Sequence, residues 1–353
     1  MSQSTIAATL RLPAPQPRGP VSAAVLDALR TGAADAPDSP VHGLTSRAID
    51  EAVATGDLLR DDDLQLALFV LQELHYRGVD GVDDDREWQP GVVALRRLLE
   101  GALEQELRDR VPLPSLPAPH APDVAAALFA LTAADQGPSL SRYAARHATL
   151  EQLREMLMLK SVYQLKEADP HTWSIPRLTG RAKAAAVEIQ ADEYGGGHLG
   201  SMHSELFRKS MRAIGLDDSY GAYVDHAPGI TLCASTFMSM CGLNRRLRGA
   251  ITGHLAAFEM TSSIPNRLYG DGLRRHGYGE DATHYFDEHV AADAVHEQIA
   301  GRDLAGGLAE TEPELLRDIV FGAAACLFID GLAAVDHLDA WNSGRSALHE
   351  VTP

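Results

Sequence analysis

His289, Asp293 and His296 stand at i, i+4 and i+7 in one short stretch. On an α-helix, with about 3.6 residues per turn, their side chains fall within roughly 60° of one another. Two neutral imidazoles and a carboxylate are a donor set that suits non-haem iron. The plain alternative is a solvated polar face in an acidic chain with 15 histidines. Upstream, Glu259 sits in the apolar run Ala256–Met260. A carboxylate there needs a partner, because burying an unpaired charge is costly. Glu193 and His203 flank the run Gly195–Gly197. Three carboxylates and three imidazoles suit two iron ions better than one, since a single facial-triad iron needs only two His and one carboxylate.

The order Glu193, His203, Glu259, then His289-x3-Asp293-x2-His296 resembles the haem-oxygenase-like diiron oxidases and oxygenases. The spacing from Glu193 to His296 is similar to the branch that N-oxygenates guanidine or amine groups. The stretch Val187–Gly195 resembles members called iron-containing redox enzymes. The resemblance covers roughly residues 145 to 345. It implies an all-α, haem-oxygenase-like helical bundle, two Fe(II) ions per chain and dioxygen as co-substrate. It also implies that a Glu one helix earlier can join the metal site, and Glu167 lies in the matching place. His198, five residues after Glu193, competes with His203, which the family pattern favours. The substrate is not implied.

Composition bounds the rest. The 353 residues are 45% apolar, enough for a sizeable core. Abundant alanine and few aromatics favour helices over sheets. A formal charge of −18 argues against nucleic-acid or anionic-membrane partners. No uninterrupted apolar run of spanning length is seen, so no membrane span is expected. Residues 1–20 lack a secretory signal pattern, and the three cysteines (Cys233, Cys241, Cys326) read as buried thiols in a reducing cytoplasm.

The elements that must position the candidate ligands are helical. Prolines 13, 15, 17 and 20 mark residues 1–20 as a flexible arm. Helical patterns follow at Leu64–Tyr76 and from Pro90 to about Val111. The five prolines of Pro112–Pro122 set a boundary. Residues 21–120 are therefore expected to form an N-terminal helical region, and residues 121–350 the bundle. By the resemblance the first region serves dimerisation, with Leu64–Val111 contributing. Further helices are expected at Asp123–Ala134, Leu150–Leu165, from near Pro176 through Glu193, His203–Ile214, Thr231–Cys241, Leu247–Met260, Asp281–Ile299 and Pro313–Trp341. No period-two runs or hairpin signals predict a sheet. No histidine has Glu three residues before it, which argues against the ferritin-like arrangement.

Glu193 and His203 are ten apart, roughly 80° out of phase on an unbroken helix. They converge if the three glycines unwind or bulge the helix; an ordinary turn between two helices is the alternative. Other candidates are weaker. His75 reads as structural, with Glu73 on another face. His254 and His284 read as pointing elsewhere or solvated. Arg274 and Arg275 read as a basic pair in a loop, and Tyr194 as a neighbour of the site. No phosphate loop and no serine nucleophile elbow is present. The expectation is a cytoplasmic diiron oxygenase or oxidase that takes electrons from an external donor and oxidises a small molecule. The competing expectations are a haem protein of the same fold and a metal-free helical interaction protein.

Overall fold

The computed structural model describes residues 10–36, 39–134 and 137–350, without the side chains of residues 291–294. Sixteen α-helices cover most of these residues. They are α1 Pro20–Thr31, α2 Val41–Thr55, α3 Asp62–Glu73, α4 Pro90–Arg110, α5 Ala121–Ala133, α6 Leu140–Arg146, α7 Leu150–Gln164 and α8 Asp169–Thr172. Then come α9 Gly180–Glu193, α10 His203–Ala213, α11 Gly229–Leu243, α12 Arg248–Met260, α13 Ser263–Arg275, α14 Glu280–Gln298, α15 Gly306–Thr311 and α16 Leu316–Asn342. Among the described residues there is no strand, only an isolated bridge between Leu12 and Val79.

Local chemistry sets the ends. Asp61 caps α3 by accepting the Leu64 N–H at 2.8 Å. Pro90 opens α4 from the first turn, where its missing N–H costs nothing. A reciprocal pair, Thr149 with Gln152, starts α7. The proline-rich segment stays non-helical until α5, as its composition requires.

Helix α3 is apolar on every side, which marks a helix surrounded by protein. Its residues Leu64–Leu71 are each 2% exposed or less, and it packs on α11, α1 and α4. The α3 part of the stretch Leu64–Val111, expected to contribute to a dimer surface, is therefore already buried within the chain. Residues 10–20 do not project as an arm. Leu12 is fully buried, and the Arg18 guanidinium donates to the carbonyls of Val224 and Ala227. Residues 1–9 of that expected arm lie outside the described residues.

The core divides into two apolar clusters. One joins α1–α4 to α7, α10 and α11; the other joins α5, α9, α12, α15 and α16. Against expectation, Pro313–Asn342 is long and apolar enough, by length and composition, to cross a membrane. Charged residues such as Arg317, Asp318 and Asp330 hide this from a search for an unbroken run. Half of its most apolar window is buried, and α16 packs closely on α12. That contact depends on glycine. A methyl group on Gly253 would collide with the Ile319 carbonyl, and one on Gly322 with the Ala250 carbonyl. Gly253→Val is therefore expected to lower stability by about 3 kcal/mol. Gly101→Ala on α4, where an added methyl meets nothing, should raise it by up to about 1 kcal/mol. Urea midpoints of the two variants check this pair.

Candidate metal centre

Four helices and one turn bring the acidic and imidazole side chains together. Glu167 lies in the turn after α7, Glu193 ends α9, His203 opens α10, Glu259 is one residue from the end of α12, and His289 and His296 lie on α14. All six are buried. Asp293 is on α14 between the two histidines, but its side chain lies outside the described residues.

The glycine run solves the phase problem differently from a bulge. Gly195, Gly196 and Gly197 all have positive φ (63°, 60° and 81°), so the helix cannot continue through them. A Cβ on Gly195 would meet the backbone of Ser201 and Met202. The chain leaves α9, folds through short turns and starts α10 as a separate helix. This places Glu193 Oε2 3.0 Å from His203 Nδ1.

The donor atoms form two groups with one shared member. Single ligand atoms of Glu167, Glu193, His203 and His289 lie within 4.8 Å of one another, and so do those of Glu193, Glu259 and His296. His289 turns its Nδ1 to the Tyr285 carbonyl at 2.8 Å, which leaves Nε2 facing Glu167 Oε1 at 3.5 Å. His296 is fixed the other way round. Its Nε2 meets Asp192 Oδ2 at 2.9 Å, and its Nδ1 faces Glu259 Oε2 at 3.5 Å. A carboxylate or carbonyl on the far nitrogen is how proteins orient imidazole ligands. The Tyr285 hydroxyl donates to Glu167 Oε1 at 2.8 Å.

The electrostatics agree with a site built for cations. Burial pushes Glu193 toward neutrality, but His203, His289 and His296 outweigh it and hold its carboxyl below the ordinary range. Burial opposes charge on His296, yet Glu259, Asp192 and Glu193 raise its imidazole to about 9. Glu193 likewise overcomes burial to raise His203. One buried atom at this place, Glu167 Oε2, has no hydrogen-bond partner among the described residues, while His203 Nδ1 and His296 Nδ1 face the carboxylates of Glu193 and Glu259. Orphaned buried acceptors are rare and call for an explanation such as an ion. The mixed carboxylate and imidazole set fits iron, whereas a soft metal would favour thiolate. The cysteines are free, buried and apart from the donor groups, and burial raises the Cys233 thiol to about 12.

A cavity of about 510 Å³ reaches the site at Glu167, Glu193, Glu259 and His289. Its wall includes apolar Met156, Phe237 and Ile329 and charged Lys160 and Asp330. Burial lowers the Lys160 pKa despite the opposing pull of Asp330 and Glu167, and its Nζ lies 4.8 Å over the Tyr269 ring. His171 and His254 also line the cavity, joined Nε2 to Nδ1 at 3.1 Å.

His75 is buried against Glu87, Arg96 and Trp88, a structural arrangement away from the donor groups. His198 and His284 are exposed. His254 points into the cavity beside His171 rather than into the donor groups. Arg274 and Arg275 lie on α13, not in a loop; Arg274 pairs with Asp287, and Arg275 donates to the carbonyls of Ala144, Ala145 and Ala148. The Tyr194 hydroxyl bonds Asp169 and Thr172. Sequence reasoning missed Asp192 and Tyr285. Both were within reach, since Asp192 adjoins Glu193 and Tyr285 precedes His289 by one helical turn.

Comparison with known proteins gives two findings. The family described as iron-containing redox enzyme matches residues 154–331, half of the chain and the span that holds all seven candidate ligands. A relative named nitrosourea synthase, from Streptomyces achromogenes subsp. streptozoticus, is 27% identical over 161 residues. That alignment covers 44% of this chain and 34% of the relative, so the chain spans about a third of that protein's length.

Proposed function

Because the chain belongs to the iron-containing redox enzyme family, with its haem-oxygenase-like helical fold, we propose that it is a non-haem diiron oxidase or oxygenase acting on a small molecule in the 510 Å³ cavity. The observation that carries this reading is the pair of buried donor groups sharing Glu193, with the orphaned Glu167 Oε2 in the first of them. Glu167, Glu193, His203 and His289 would hold one iron, and Glu193, Glu259 and His296 the other. When bound, ferrous iron supplies electrons and an open position for dioxygen.

The protein's own groups do the positioning. The Tyr285 carbonyl and Asp192 fix which nitrogen of His289 and of His296 faces the site. The Tyr285 hydroxyl holds Glu167 Oε1, leaving Oε2 for the metal. Apolar Met156, Phe237 and Ile329 would pack against the substrate in the cavity. Similarity to a nitrosourea synthase supports a nitrogen atom, in an amine or guanidine, as the position oxidised; a C–H bond is the alternative. Electrons for repeated turnover come from an external donor.

Anaerobic loading with Fe(II), followed by iron analysis and an oxygen electrode, tests the reading. Two irons per chain and dioxygen consumption on exposure to air are expected. A Soret band after haem addition, with no retained iron, would support the haem alternative instead. Retention of neither group would leave a metal-free interaction protein.

A further inference from the structure

The turn that carries Glu167 is held by a buried ion pair from outside the matched family segment. Lys166 pairs with Glu73, the last residue of α3, and their side chains are 1% and 0% exposed. The Tyr220 hydroxyl donates to the other Glu73 oxygen at 2.6 Å. The Lys166 ammonium also lies 4.8 Å over the Phe69 ring and 4.5 Å over that of Tyr76. Just beyond α3, the Arg77 guanidinium donates to the Leu165 carbonyl at 2.9 Å. On the other flank, Gln190 of α9 donates to the Ala168 carbonyl at 2.8 Å. Each residue from 165 to 168 is thus tied to a neighbouring element, Glu167 itself by the Tyr285 hydroxyl of α14.

The backbone shows why such ties are needed. Ala168 has φ +74°, the sole non-glycine residue among those described with positive φ. That conformation is costly for a residue with a Cβ and persists only where its surroundings over-determine it. A buried ion pair is a poor source of net stability, because desolvation offsets the attraction. Its geometric effect is specific. It fixes the chain one residue before Glu167, whose carboxylate then meets Tyr285 and faces His289.

We infer that Glu73 and Lys166 are positioning residues for Glu167, so that the N-terminal helical region completes the metal centre. The inference rests on the diiron reading. It places the dependence on one group of donors and not the other. Glu167 belongs to the group with His203 and His289, while Glu259 and His296 have no contact with the α3 turn in the interactions described.

The test is an anaerobic Co(II) titration of the full chain, followed by calorimetry and visible absorption. Wild type is expected to show two binding steps, and Glu167→Gln identifies which belongs to its own group. Glu73→Gln should weaken that same step by about 10-fold, the low end of the cost of removing a group that touches a metal ligand, because Glu73 acts through Lys166, and leave the other step unchanged. The double variant Glu73→Met/Lys166→Met removes both charges and suits an apolar surrounding. It should stay folded by circular dichroism and show the same selective loss. Wild-type affinity for both steps in the folded double variant would overturn the inference while leaving the diiron reading intact. So would equal weakening of both steps. A wild-type chain that takes up no metal under any loading condition would overturn the diiron reading and this inference with it.

Discussion

Replacing Glu193 by Gln is expected to abolish iron retention at both positions, not one. Glu193 is the residue common to the two donor groups, and three imidazoles draw its charge into the site. Glutamine keeps the shape but removes the charge, so neither ion keeps its shared anionic ligand. Loss of an outer partner costs about 10- to 100-fold in metal affinity, and loss of a direct, shared ligand should exceed about 100-fold. Glu259→Gln is the contrast, because it touches one group only and should leave a single iron. Iron per chain after anaerobic loading and gel filtration separates the two outcomes. Two retained irons in Glu193→Gln would show that the ions do not share this residue.

Acid should destabilise the fold through the His171–His254 pair. Both rings are buried; burial lowers His254 to about 3, and burial together with His254 takes His171 well below its ordinary value. A histidine whose folded pKa is depressed contributes stability fully above its unfolded value of about 6.5. Below that pH the unfolded chain takes a proton that the folded chain refuses, so stability falls until the folded pKa is reached. For His254 alone the loss is about 2 kcal/mol at pH 5. His254→Gln keeps a hydrogen-bonding group without a titrating ring, and should flatten the difference between urea midpoints at pH 7 and pH 5 by a corresponding amount. An unchanged difference would mean that the pair protonates readily in the folded protein.

The parts legible in the sequence were those with strong local signals. The helical period of His289 and His296 and the prolines before α5 each dictate structure within a few residues. Glu193 and His203 were visible as candidates, but not the path between them, because three glycines permit a bulge or a turn equally well. The structure takes the turn, with positive φ at all three glycines and the backbone of Ser201 and Met202 close against Gly195. Helix α13 was not legible, since Pro265, Asn266, Gly270 and Gly272 are poor helix formers. Packing on α14 and α6 overrides that propensity. Glu167 was reached by resemblance alone. Nothing in Gln164–Glu167 shows that Glu73, 93 residues upstream of Lys166, anchors the turn.

In the proposed centre, two irons sit on either side of Glu193. Anomalous diffraction at the iron edge from anaerobically Fe(II)-soaked crystals tests it directly. Two peaks about 3.5–4 Å apart are predicted, one among Glu167, His203 and His289, the other beside Glu259 and His296, with the Glu193 carboxylate touching both. A single peak, or iron bound away from Glu193, would contradict it.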